Sequence, residues 1–131
     1  MLIPAIVSIC IGASSGALLR WWFGIIFNSY FPTIPLGTLI ANLLGGFLMG
    51  IFIGISKIFP FIPETVRLAI VTGFLGGLTT FSTFSGEAVT LLSNEEYLWA
   101  SLLILSHVVG SIAATIAGIY AVKFLLSLEF S

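Results

Sequence analysis

No charged side chain falls between Arg67 and Glu87, and the apolar run around this stretch is one of four that fill almost the whole chain. Runs of that length have few ways to fold. Hydrocarbon offers no hydrogen-bond partners, so a spanning segment must satisfy its own amides, as a helix or a closed barrel does. A spanning helix takes about 20 mainly apolar residues, and the runs 3–27, 35–57, 64–92 and 97–126 each meet that length. Globular domains carry about 25% charged residues. Here 7% of 131 residues are charged and 59% are hydrophobic, too few charges to cover a water-facing surface. The sequence predicts an all-α membrane protein, a single four-helix domain over residues 1–131.

The connections 28–34, 58–63 and 93–96 are too short to hold a soluble domain. Pro60 and Pro63 suit a tight helix–helix turn, and Ser93-Asn94-Glu95-Glu96 reads as a polar turn into the last helix. Short links make successive helices antiparallel neighbours. The first run lacks a basic leader and is interrupted by residues 12–16 and Arg20, so it reads as a span rather than a cleaved signal peptide. Cys10 reads as a small buried hydrophobe. A net charge of -1 gives no basis for binding nucleic acid, and paired histidines, CxxC and GxSxG are all missing, so no enzyme is predicted. Lys57, Arg67 and Lys123 fall on one side, which by the positive-inside rule puts both termini in the cytoplasm. Three cations are a small bias, and such a chain can insert in both directions.

Residues 73–84, GFLGGLTTFSTF, are a poor helix where a good one is required. Irregular backbone at membrane depth is tolerated only where it is buried in protein or lines a cavity. A break near residues 76–79, with the helix resuming near Thr80, would free carbonyls for a hard cation such as Na⁺ and turn helix N-terminal amides toward an anion. The plainer alternative is a glycine kink packed against a neighbour. Beyond it, Phe81 and Phe84 share one face, and Ser82 and Ser85 the adjacent one. Thr83 and Glu87 are four apart. An aromatic ring carries a positive edge, so two rings presented edge-on favour a small anion without a full charge in the path. A single membrane phenylalanine is usually core or lipid-facing bulk. Two, following a Gly-Gly pair and flanked by hydroxyls, are less ordinary.

Elsewhere small and polar residues recur at helical spacing. Gly46, Gly50 and Gly54, Gly110, Ala114 and Gly118, and the pair Gly12 and Gly16 mark close helix packing. Thr38 and Asn42 lie in line with Gly46 and read as interhelical glue. His107, Ser111 and Thr115 form a polar file that serves as a hydrated path or as glue with equal weight. Arg20, followed by Trp21 and Trp22, either snorkels to the interface or attracts anions to a vestibule. Glu87 can pair with a cation or with His107. Glu64, Glu95, Glu96 and Glu129 read as solvated ends.

Together GASSGALLRWW (residues 12–22), Asn42 in NLLGG, and GFLGGLTTFSTF resemble the Fluc, or CrcB, fluoride channels, over nearly the whole chain and in the same motif order. The helix-three motif is the specific part. The resemblance implies a fluoride-selective passive channel of the bacterial cell membrane that exports cytoplasmic fluoride. It also implies an antiparallel dual-topology homodimer with two pores along the subunit interface. By the same resemblance, Phe81 and Phe84 are the rings that meet fluoride and Asn42 is the pore asparagine. Gly76 and Thr79 offer carbonyls to a structural Na⁺ at the dimer interface. Ser82, Thr83, Ser85, His107 and Ser111 form the polar track, with His107 standing where some members have a hydroxyl. Arg20 is the vestibule arginine and Glu87 a pore-end acid, while Thr38 and Thr115 are further pore-lining candidates.

Two rivals fit the composition. A small dual-topology proton-coupled multidrug exporter is also a short four-helix protein, but it needs a carboxylate in its first helix, where this chain has Arg20 and no acid. A non-transporting membrane scaffold subunit would explain the glycine stripes and leave the Phe/Ser/Thr cluster idle.

Overall fold

The computed structural model describes residues 1–129, the side chain of Glu129 excepted, so the reading of Glu129 as a solvated end lies outside the described residues. Those residues form helices and no strand. Helix α1 covers Leu2–Phe27 and α2 covers Leu36–Ile58. The third span, Glu64–Ser93, is a composite. It opens with α3 (Glu64–Arg67), widens into a π-helical stretch at Leu68–Leu75, returns to a short α4 (Gly76–Leu78), breaks, and continues as α5 (Ser82–Ser93). The last helix, α6, covers Tyr97–Glu129. All four units are long and apolar enough to cross a membrane. Outward faces carry large apolar side chains such as Ile11, Leu18, Val109 and Ile116, as lipid requires.

The third span breaks, but not where its glycines suggest. Gly76 and Gly77 stay helical, the chain turns extended at Thr79 (φ -82, ψ 154), and helix resumes only at Ser82. Glycine here serves close approach. A methyl group added at Gly77 would fall on the Ala13 backbone of α1, and one added at Gly16 would fall on the Phe74 carbonyl oxygen. Gly12 and Gly73 meet in the same way, a Cβ on either lying 3.0 Å from the other's Cα. Gly12 thus faces Gly73, while Gly16 sits against Phe74 and Leu78 and Gly77 against Ala13.

Successive spans run antiparallel, as expected, but the most intimate pairs are alternate ones. α1 lies along the first half of the third span, and α2 lies along α6. Both pairs are parallel, since Gly12 and Gly16 meet Gly73 and Leu78 in order, and Gly46, Gly50 and Gly54 meet Ser111, Thr115 and Val122 in order. At the deepest point a Cβ on Gly50 would sit 3.0 Å from the Gly118 Cα. Small residues allow this approach where no hydrophobic force draws helices together. The break lets the third span change partner: its first half packs on α1, and α5 packs on α6. There Phe84, Ala88, Leu91, Ala100 and Leu103 form a small core with Ile34 and Trp99.

The connections have defined ends. Pro63 leads α3, its carbonyl accepting the amides of Val66 and Arg67 at 3.0 Å. After α5, Glu95 adopts a left-handed conformation (φ 60). The Glu96 amide then reaches the Leu91 carbonyl at 2.9 Å and the Glu95 amide the Leu92 carbonyl at 3.1 Å, the Schellman pattern of helix termination. Lys57 and Arg67 line one recess, and Val122 packs on Gly54, so Lys123 falls at that same end.

Candidate functional site

The break is held by a side chain from another helix. Asn42, buried on α2, accepts the Thr80 amide on Oδ1 at 2.7 Å and donates Nδ2 to the Thr80 carbonyl at 2.9 Å. One amide side chain therefore replaces the helical partners of one unwound residue. Thr80 also caps the resumed helix: its Oγ1 accepts the Thr83 amide at 3.1 Å, satisfying one of the donors a new helix leaves open. β-Branched Thr79 and Thr80 tolerate extended backbone better than helix, which places the break after Leu78 rather than at the glycines. Arg20 secures the other side, donating Nε to the Gly77 carbonyl at 3.1 Å.

These bonds leave the Gly76 and Thr79 carbonyls, among others, without their usual donors. A helix would close the Thr80 amide onto Gly76 and the Thr83 amide onto Thr79, but these amides go to Asn42 and to the Thr80 hydroxyl. Gly76 and Thr79 both line the main cavity. Their oxygens are the right chemistry for a hard cation, so the pair fits the expected Na⁺ ligands.

That cavity is a trough of about 480 Å³ on the flank of the bundle. Phe81 and Phe84 stand in it edge to face, centroids 5.4 Å apart and planes at 73°. Phe84 is buried while Phe81 is 76% exposed. His107 stacks on Phe84 at 4.7 Å and takes a hydrogen bond from Asn42 Nδ2 on its Nδ1, at 2.9 Å. Ser111 and Thr115 continue the lining along α6. The Ser111 hydroxyl has no partner among the described residues, whereas Thr115 Oγ1 donates to the Ser111 carbonyl at 2.9 Å.

The remaining candidates lie apart from the trough. Arg20, Thr38 and Thr83 line a second cavity of about 370 Å³, with Trp21 and Asn28. Among the described residues Glu87 meets neither a cation nor His107. Thr38 Oγ1 donates to its Oε1 at 2.6 Å, and its Oε2 is buried without a partner among the described residues. Asn42, not Glu87, holds His107 Nδ1. Ser82 and Ser85 line neither cavity; the Ser85 hydroxyl donates to the Phe81 carbonyl at 2.8 Å. Thr80 was missing from the candidates, because it works through its backbone and residue type alone does not announce that.

Residues 7–119 match the family described as CrcB-like protein, Camphor Resistance (CrcB). The chain belongs to the CrcB-like family. It is 54% identical over 121 residues to the fluoride-specific ion channel FluC of Nitrosospira multiformis, covering 92% of this chain and 94% of the relative. It is 50% identical over 121 residues to the protein of the same name from Tolumonas auensis, covering 92% and 95%. Against that from Pseudomonas paraeruginosa the identity is 48% over 122 residues, covering 93% and 96%. This CrcB-like chain is a multi-pass membrane protein.

Proposed function

We propose that the chain is a fluoride channel that lets cytoplasmic fluoride leave passively and so protects the cell. The observation that carries this reading is the Asn42–Thr80 clamp beside an edge-to-face phenylalanine pair, in a trough that also holds N–H and O–H groups. The positive edges of Phe81 and Phe84 and the nearby donors replace part of a small anion's hydration without a fixed counter-charge that would trap it. Export needs no coupled energy source. In acidic surroundings fluoride enters the cell as neutral HF and dissociates in the more alkaline cytoplasm. A potential negative inside then drives the anion outward with about 2.3 kcal/mol per charge per 100 mV.

The trough also argues for a second copy. Freed carbonyls at Gly76 and Thr79 and exposed Ser82 and Thr83 cannot be left facing hydrocarbon. An antiparallel homodimer would cover them, turning each open trough into a closed path, in keeping with a small charge bias that permits both orientations. Gly76 and Thr79 supply two oxygens per chain, so a shared Na⁺ would draw on both copies. When bound, it supplies a positive charge at the interface; Asn42, Thr80 and Arg20 hold the backbone that presents those oxygens. Arg20, Thr38 and Thr83 would form the entrance, with Glu87 at its end.

Complementation tests the reading. A fluoride-sensitive strain lacking its own exporter should grow in fluoride with this chain and fail with the Phe81→Ala variant. Failure of the unaltered, membrane-inserted chain to restore growth would contradict it, and would favour a non-transporting scaffold.

A further inference from the structure

The two intimate helix pairs, α1 with the first half of the third span and α2 with α6, leave a seam between them. At the end that carries Lys57 and Arg67 the seam opens into a recess of about 360 Å³. Its floor is apolar, formed by Met49, Phe52 and Ile53 of α2 and by Val71 of the third span. Lys57 and Arg67 line it from opposite sides of the seam and are themselves exposed. Neither forms an ion pair among the described residues. Ser56 also lines the recess, but its hydroxyl already donates to the Phe52 carbonyl at 2.7 Å. At about 1.5 Å per residue, Met49 lies about 12 Å along α2 from Lys57, against about 15 Å for half of a bilayer's hydrocarbon core. The adjoining connection, residues 59–63, reads Phe-Pro-Phe-Ile-Pro and holds no polar side chain. Phe59 is 63% exposed and Phe61 94%. Such rings belong at the boundary of headgroups and acyl chains rather than in water, which sets Lys57 and Arg67 at headgroup level.

We propose that this recess binds an anionic phospholipid, with Arg67 and Lys57 on its phosphate and one acyl chain along the apolar floor. A guanidinium takes a phosphate through two parallel hydrogen bonds and an ammonium adds a point charge. Basic pockets between membrane helices are the usual place for such headgroups. A zwitterionic lipid brings its own cation to the same spot and gains less. One basic residue comes from each helix pair, so the bound lipid ties α2 and α6 to α1 and the third span at an end where the two pairs stand apart. In the orientation that the positive-inside rule favours, the recess opens to the cytoplasmic leaflet; an inverted copy opens its own to the other. The proposal does not depend on which ion follows the trough. Met49 and Val71 line both trough and recess, so the competing occupant is a second copy that extends beyond the trough.

Native mass spectrometry of the purified chain in maltoside micelles tests this, with dioleoylphosphatidylglycerol and dioleoylphosphatidylcholine added in turn. The anionic lipid should be retained about tenfold more tightly than the zwitterionic one, and should raise the unfolding midpoint measured in the same micelles. Lys57→Gln and Arg67→Gln should each weaken its retention about fivefold, the share of one cation near an anionic headgroup, and should shrink the midpoint shift. Lys123→Gln removes an equal charge from the same end but outside the recess, where the Lys123 ammonium lies over the Tyr120 ring. It should leave both readings unchanged, and it controls for any effect of charge on insertion. Inorganic phosphate should not displace the lipid. Equal retention of the two lipids, an equal loss in Lys123→Gln, or displacement by phosphate alone overturns the proposal. So does a fall in dimer mass in the Lys57 and Arg67 variants with lipid retention unaltered, which would give the recess to a second copy.

Discussion

Replacing Asn42 with alanine removes three hydrogen bonds and leaves three polar groups stranded: the Thr80 amide, the Thr80 carbonyl and His107 Nδ1. Side-chain hydrogen bonds inside membrane proteins are worth on average about 0.6 kcal/mol each and at most about 1.7. The loss should therefore fall between about 2 and 5 kcal/mol, with the upper part favoured because Asn42 is only 9% exposed and water cannot readily replace it. Equilibrium unfolding in mixed detergent micelles reads this directly, and hydrogen exchange at the Thr80 amide reads it locally. Asn42→Asp sharpens the test. A carboxylate can still accept the Thr80 amide but cannot donate to the Thr80 carbonyl or to His107. It should protect the Thr80 amide while remaining destabilised. If Asn42→Ala changed stability by less than about 0.5 kcal/mol, the size of an ordinary surface substitution, and left Thr80 exchange unaltered, the clamp would not be what holds the break.

Other substitutions probe separate parts of the structure. Thr38→Val removes the hydroxyl that donates to Glu87 at 2.6 Å and should cost about 1–3 kcal/mol in unfolding measurements, the penalty for leaving a buried polar group without its partner, while Thr38→Ser should cost little. Gly50→Val drives side-chain atoms into the Thr115 carbonyl and the Gly118 Cα. It should part α2 from α6 and destabilise by about 1–3 kcal/mol or more, as overpacking does. Glu95→Gly relieves the left-handed conformation at φ 60 and should raise stability by up to about 1 kcal/mol, readable as an upward shift in the unfolding midpoint.

Most of the architecture was legible because lipid leaves so little choice. The four expected spans agree with Leu2–Phe27, Leu36–Ile58, Glu64–Ser93 and Tyr97–Glu129 to within a few residues at each end. The broken third span was legible too, because a Gly-Gly-Leu-Thr-Thr run is out of place in an apolar helix. The position of its break was not. Glycine has two uses, unwinding and close approach, and only the packing of Gly77 against Ala13 shows that approach was the one required. The π-helical stretch Leu68–Leu75 carries no periodic signature that would set it apart from ordinary apolar helix. Asn42 was seen as glue, which it is, though it holds the Thr80 backbone as well as the His107 side chain. Pairing Glu87 with His107 failed because opposite character does not ensure proximity: α2 places Thr38 beside the acid and Asn42 beside the imidazole.

The central claim concerns what passes along the trough, and anion efflux from liposomes holding the purified chain addresses it. With an internal fluoride load and a path for counter-ion, a fluoride electrode should record rapid release, while an equal chloride load should stay trapped on the same timescale. Phe81→Ala, which removes the exposed ring of the edge-to-face pair, should abolish the fluoride release. Chloride leaving as readily as fluoride, or fluoride release untouched by the loss of Phe81, would contradict the account.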